Sequence, residues 1–367
     1  MTIDGGKRNV AYQPPFVYFG GKSSVADVVW QALGADVPNY IEPFCGSAAV
    51  LFLRPGGAGH TETINDADGL LSNFWRAVKL NVEAVAEWAD DQVNEAELHA
   101  KHLWLLGQRE RLTEKLMADP EWHDARAAGY WAWGLNCWIG GGWCSGKGPW
   151  QAVDGVFANT RAKEDGVNRK RPHLGNAGQG VKRQLPHLGT TGLGVNRKRP
   201  HLGDPGKGEC AARREWLTGY LQTFADRLRN VRVCCGDWRR VCGPSVTFKH
   251  GITGVFLDPP YADTAGRADD IYAVDCQQVA HRVREWAIEQ GQNPLMRICL
   301  AGYQDEHQMP DDWRVHKWTT AGGYGCRGDD EDKAGRANSK RERLWFSPAC
   351  LGLTKNPQMS LFPKESR

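Results

Sequence analysis

Net charge is nearly absent from this 367-residue chain: 46 Lys and Arg stand against 43 Asp and Glu, a formal +3, which excludes a polycationic coat for nucleic acid. Long apolar runs are lacking as well. None approaches the roughly 18 to 20 residues that a membrane-spanning helix requires, so no membrane partner is expected. Among the 11 cysteines there is no CxxC pair, Cys234 and Cys235 are adjacent, and no apolar leader follows Met1. Reduced thiols in a cytoplasmic protein are the expectation. A phosphate-binding loop is missing too, because the run Gly21-Lys22-Ser23 would need its first glycine where Phe16 stands, after Pro14 and Pro15. His173, His187 and His201 recur without cysteine partners and beside cations, so they suggest no metal site.

The positive charge that does exist is concentrated. A 14-residue cassette starts at Gly166, Gly180 and Gly194, and it carries Arg169, Lys170, Arg171, Lys182, Arg183, Arg197, Lys198 and Arg199. Its prolines and glycines exclude a coiled coil, and Val and Leu alone cannot offset the entropy of ordering each unit. The cassettes must therefore lean on something else, for which the phosphate backbone of double-stranded DNA suits their charge, or else form a solvated low-complexity linker.

Around this tract the sequence reads as alternating strands and helices. In YFGGKSSVADVVWQALG, Val25, Val28, Val29, Ala32 and Leu33 recur at helical spacing; Ser24 with Asp27 reads as a capping box and Gly34 as a stop. NYIEPFCGSAAVLFL predicts a short buried strand ending near Phe44, a small-residue turn, and a helix from about Ala48. ETINDADGLLSNFWRAVKLN repeats that sense, with Leu70, Leu71, Phe74, Trp75 and Val78 on one side of its helix. Strands resume at NVRVCC, GVFLDPPY and PLMRICLAGY, and WRVHKWTT with RERLWFSP predicts an antiparallel closing pair around a polar loop from Gly323 to Lys340. The pattern is a Rossmann-like, doubly wound α/β sheet. Residues 1–81 and 231–350 form its two parts, 82–230 a mainly helical inserted domain containing the cassettes at 166–207, and 351–367 a tail. Of Trp131, Trp133, Trp138, Trp143 and Trp150 in the insert, most are expected in the core and one or two at DNA.

Asp258-Pro259-Pro260-Tyr261 is the most informative quartet. An ionised carboxylate and the carbonyls of a proline pair only accept hydrogen bonds, and a tyrosine offers a flat face. Together they suit a planar ring with an exocyclic amino group. Glu42-Pro43-Phe44-Cys45-Gly46-Ser47 ends the first strand in a turn that a ligand can approach closely. Asp66 ends the second, where an acid accepts from ribose hydroxyls, and Asp237-Trp238 offers a carboxylate and an aromatic face to a purine.

These motifs, in this order, resemble those of the Dam-like adenine-specific DNA methyltransferases, in the group whose cofactor motifs precede the target-recognition domain. The resemblance covers most of residues 16 to 350. It implies that Phe19, Gly20, Gly21 and Lys22 form an N-terminal cofactor motif, that Glu42, Pro43, Phe44 and Gly46 hold the methionine part of S-adenosylmethionine, and that Asp66, Asp237 and Trp238 hold its nucleoside. Asp258, Pro259, Pro260 and Tyr261 become the catalytic motif, with Tyr261 stacking on a flipped adenine. Asn136 and Lys147, flanking the glycine-rich turn, join the cassette cations as expected DNA contacts. Ala48 stands where the family's loop often has a final glycine, and the cassettes have no counterpart in its short members. A monomeric enzyme is expected, with or without a cognate restriction endonuclease. The alternatives are transfer to cytosine, RNA or protein glutamine, or a non-catalytic DNA-binding relic.

Overall fold

The computed structural model describes residues 14–16, 21–57, 60–93, 95–138, 143–144, 150–153, 156–159, 210–260, 278–304, 306–318 and 341–352. Phe19, Gly20, Lys147, Tyr261 and the cassette cations at 169–171, 182–183 and 197–199 lie outside the described residues, as does the loop expected at 323–340.

Seven strands form one sheet in the order β5-β2-β1-β6-β7-β9-β8. Strands β1 (Asn39–Glu42), β2 (Thr61–Asp66), β5 (Val231–Cys235), β6 (Thr253–Leu257) and β7 (Met296–Tyr303) run parallel. Strand β9 (Glu342–Phe346) is antiparallel to both β7 and β8 (Arg314–Lys317), which closes the sheet as the sequence predicts. Every residue of β1 and β6 is buried, the polar Asn39, Glu42 and Thr253 included, whereas edge strand β8 alternates half-buried and exposed positions. The fold is a Rossmann-like, doubly wound α/β sheet with an antiparallel closing pair.

Helix α1 (Ala26–Leu33) buries Val29, Trp30, Ala32 and Leu33, and Gly34 ends it at φ +87°, a conformation that favours glycine. The expected capping box does not form. Ser24 falls inside a 3-10 turn, Ser23–Val25, and Val25 occupies the N-cap without a side-chain bond. Helix α2 (Ala49–Phe52) follows the turn after β1.

Helix α3 (Gly69–Leu80) departs from the one-sided pattern read in its sequence: every residue from Gly69 to Val78 is buried. The sheet covers one side, while α4 (Val82–Ala89), α5 (Glu95–Ala118), α6 (Ala125–Cys137) and α7 (Cys210–Leu228) cover the rest. Such burial requires that the polar residues of α3 be satisfied inside. Arg76 accordingly donates to the carbonyls of Val233, Leu116, Asp119 and Trp122, and Asn73 exchanges two 2.8 Å bonds with the backbone of Asp124. Phe16 sits among Phe74, Trp75 and Trp131, so the leading segment, α3 and α6 share one core. Trp131, Trp133, Trp138 and Trp143 are all buried. Gly134 makes room for Trp143, whose Cζ2 would lie 1.9 Å from an added Cβ. Strands β3 (Trp150–Val153) and β4 (Val156–Asn159) form a separate antiparallel hairpin.

At the edge where the parallel strands begin, Glu62 is 1% exposed and doubly paired, with Arg54 Nη1 at 2.9 Å and Arg227 Nη1 at 2.6 Å. Arg54 also donates to the Ala35 and Val37 carbonyls. This network ties α7 to the sheet. Among the described residues no helix is long and apolar enough to cross a membrane.

Candidate active site

The sheet reverses its winding at β1. Strands β2 and β5 lie on one side of it and β6 and β7 on the other, so a crevice opens beyond the carboxyl ends of β1 and β6. Glu42 ends β1, and Asp258-Pro259-Pro260 immediately follow β6. The proline pair has no N–H to continue the ladder, so the strand must stop there.

Asp258 is ion-paired with Lys22, Oδ2 to Nζ 2.9 Å, which joins the segment before α1 to the one after β6. The lysine side chain is 4% exposed and the aspartate 21%, so the carboxylate is the partner that meets the crevice. Burial pushes the Asp258 carboxyl above its ordinary value, and Lys22 opposes the shift. Glu42 is buried beside it and accepts from the Tyr40 hydroxyl at 3.0 Å. Desolvation raises its carboxyl to about 8, with the Asp258 charge adding to the rise and the Tyr40 bond opposing it.

The turn after β1 is held from its neighbours. Gly46 N donates to Asp66 Oδ2 at 3.2 Å, Trp75 Nε1 donates to the Gly46 carbonyl at 2.9 Å, and Cys45 N donates to the Asn65 carbonyl at 2.9 Å. Gly46 has φ +47° and Ala48 φ +52°, so Ala48 adopts the left-handed conformation that glycine would take more easily. The cost is roughly 1–2 kcal/mol. Asp66 also accepts from Asp68 N at 3.0 Å, yet burial still raises its carboxyl to about 7.

Asn65 has a role that the sequence reading did not assign. Its Nδ2 donates to the Pro43 and Gly236 carbonyls, both at 3.0 Å, locking the turns after β1 and β5 together, while its Oδ1 is buried without a hydrogen-bond partner. An asparagine directly before a strand-ending acid was the available signal. Asp237 caps a short 3-10 turn, Trp238–Val241, and is paired in two places with Arg239; those bonds hold its carboxyl below the usual range. Trp238 is 6% exposed, with its ring 6.3 Å from Phe44 and 5.8 Å from Trp286. Its indole is part of the wall of the crevice. Gly21 is exposed, whereas Pro43, Gly46 and Pro259 are buried and Pro260 is half-buried.

Asn136 requires a correction, because the structure places it in the interior and not at a DNA-facing surface. It is 5% exposed, and its Nδ2 donates to the carbonyls of Pro15 (3.1 Å) and Ala132 (2.8 Å). An amide on a helix rich in tryptophan was free to read either way, and burial of the whole face decided the matter.

Residues 18–112 match the family described as D12 class N6 adenine-specific DNA methyltransferase. The resemblance to Dam-like adenine methyltransferases therefore holds over the stretch that contains Lys22, the turn after β1, and Asp66. None of the curated proteins compared with the chain gives a significant match. The match ends before Asp258 and does not include the quartet Asp258-Pro259-Pro260-Tyr261.

Proposed function

We propose that the chain transfers a methyl group from S-adenosylmethionine to the exocyclic N6 of an adenine flipped out of double-stranded DNA. The observation that carries this reading is the placement of Asp258-Pro259 at the winding reversal, beside Glu42 and within reach of Lys22. Among the described residues the crevice is rich in acceptors and short of cations: Glu42, Asp66 and Asp258 all have raised carboxyls, and the buried Asn65 Oδ1 has no donor. Such a donor-poor, acid-lined crevice fits a cationic ligand that carries hydroxyls and an ammonium group.

S-adenosylmethionine, when bound, supplies an electrophilic methyl on a sulfonium. Glu42 and the Gly46 turn would hold its amino-acid part, and Asp66 its ribose. The protein's task at the base is to make a weak nucleophile stronger. Lys22 holds Oδ2 of Asp258, leaving Oδ1 to accept one amino hydrogen while the Pro259 carbonyl accepts the other. With both hydrogens engaged, the nitrogen lone pair is freed from the ring and directed at the methyl. As the nitrogen takes the methyl and the electrons of the broken C–S bond return to sulfur, Asp258 Oδ1 would accept the proton that the amino group sheds. The apolar wall of Phe44, Trp238 and Trp286 keeps water from competing. Tyr261 stacks on the base, and the cassettes at 166–207 hold phosphates.

Digesting DNA from cells expressing the protein and weighing its nucleosides tests the reading. N6-methyladenine should accumulate with the wild type and not with Asp258→Ala. Accumulation of methylcytosine alone, or of no methylated base, would overturn it.

A further inference from the structure

Strand β8 has a tryptophan at each end, and both indole nitrogens are buried without an acceptor. Buried indole N–H groups nearly always have one. Trp313, before the strand, packs over Gly291 of α8 (Val279–Gly291) at the edge away from the crevice. Trp318 follows the strand at the crevice edge, since β8 runs parallel to β6 and β7 through the two antiparallel pairings of β9. Its side chain is 9% exposed, and its ring centroid is 6.0 Å from Lys22 Nζ, which is itself 2.9 Å from Asp258 Oδ2. An indole can only donate. A ring that carries an orphaned donor thus lies against the lysine that holds the Asp258 carboxylate.

We propose that Trp318 is a specificity-determining residue of the methyl-transfer site, its indole N–H donating to the N1 ring nitrogen of the flipped adenine. This deepens the reading given above and rests on it. Adenine presents an amino donor and the N1 acceptor side by side on one edge, and a flipped base is read on that edge. Asp258 and Pro259 take the donor half, and Trp318 supplies the complement to the other. The pairing explains why a nearly buried N–H has no acceptor among the described residues: its acceptor arrives with the substrate. It also gives the site a means of refusal. Guanine and thymine carry a ring N–H and a carbonyl at the corresponding positions, so they would set donor against donor and acceptor against acceptor.

The test is a cycle between one side chain and one base atom. Wild type and Trp318→Phe are assayed on duplexes containing the site methylated in cells, with adenine, 1-deazaadenine or 7-deazaadenine at the target. The wild type should lose roughly tenfold or more in kcat/KM on 1-deazaadenine beyond any loss on 7-deazaadenine, and Trp318→Phe should lose a similar factor on adenine. The decisive result is that Trp318→Phe loses little more when N1 is removed. Losses that multiply independently, a wild type indifferent to N1, or a phenylalanine variant as active as the wild type would each overturn the assignment. A wild type that methylates adenine in no DNA would instead sink the underlying function, so the two failures are distinguishable.

Discussion

Glu42 and Glu62 are the same side chain, 2% and 1% exposed, on neighbouring strands, and they differ only in the end of the sheet they occupy. Glu62, at the start of β2, has two guanidinium partners, Arg54 and Arg227, and needs nothing from outside. Glu42, at the end of β1, has a tyrosine hydroxyl and a neighbouring aspartate, and its carboxyl rises to about 8. One glutamate is neutralised by two guanidiniums, and the other is held beside a hydroxyl and a second acid. Burial alone therefore does not distinguish the two glutamates, whereas the guanidiniums around one of them do.

Replacing the charge that serves a ligand should be catastrophic for chemistry and mild for the fold. Asp258→Ala is expected to reduce the saturated methylation rate by at least about 100-fold, roughly 3 kcal/mol, while the dissociation constant for S-adenosylmethionine changes within a few fold. Single-turnover assays beside calorimetry measure both, and substantial residual turnover would remove Asp258 from the mechanism. Asp66→Ala should do the converse, weakening cofactor binding about tenfold with a smaller effect on rate.

The glutamate pair gives the most direct contrast. Glu62→Gln leaves the Arg54 guanidinium buried without its counter-charge and should destabilise the protein by about 3 kcal/mol. Glu42→Gln keeps an acceptor for Tyr40 and removes an acid that is costly to ionise, so at pH 8.5 it should stabilise the ligand-free protein by about 1 kcal/mol. Urea unfolding of the two variants checks the signs. If both destabilise equally, the two ends of the sheet are not different in kind.

The same contrast sets a pH dependence. Glu42 and Asp66, with folded values of about 8 and about 7, lie above unfolded values near ~4, so their contribution is complete below the unfolded values and is lost as pH rises through the folded ones. Melting temperature should fall between pH 5 and 8.5, less steeply in Glu42→Gln, and S-adenosylmethionine should oppose the fall. Identical slopes for wild type and Glu42→Gln would mean that Glu42 does not titrate in that range. The smallest effect concerns the turn itself: Ala48→Gly relieves a left-handed alanine and should add about 0.5–1 kcal/mol, unless the gain in unfolded-state entropy cancels it.

Much of this architecture was legible in the sequence because short apolar runs bounded by glycine, proline and acids specify strands that end at a crevice. The positions of β1, β2, β6, β7 and the closing pair follow from that punctuation, and Gly34 stops α1 as read. What was not legible depends on partners far away in sequence. Asn65 meets Gly236 across 171 residues and Arg227 meets Glu62 across 165, and no local periodicity announces either. The all-round burial of α3 was hidden for the same reason, since its covering helices come from the insert. Ser24 failed as a cap because the preceding backbone chose a 3-10 turn.

The pairing of β1 with β6 also sets when this protein can first become whole. Asn39 in β1 donates to Thr253 Oγ1 in β6, 214 residues later, and to the Val246 carbonyl. A ribosome adding about 5–20 residues per second needs roughly 10 to 40 seconds to cover that interval. Throughout it, β1 has only β2 beside it and an open edge where its central neighbour belongs. The turn after β1 is made first, and Asp258, at the end of β6, follows some two hundred residues later. A nascent chain can thus be exposed to aggregation or to chaperones at that edge well before it is able to modify anything.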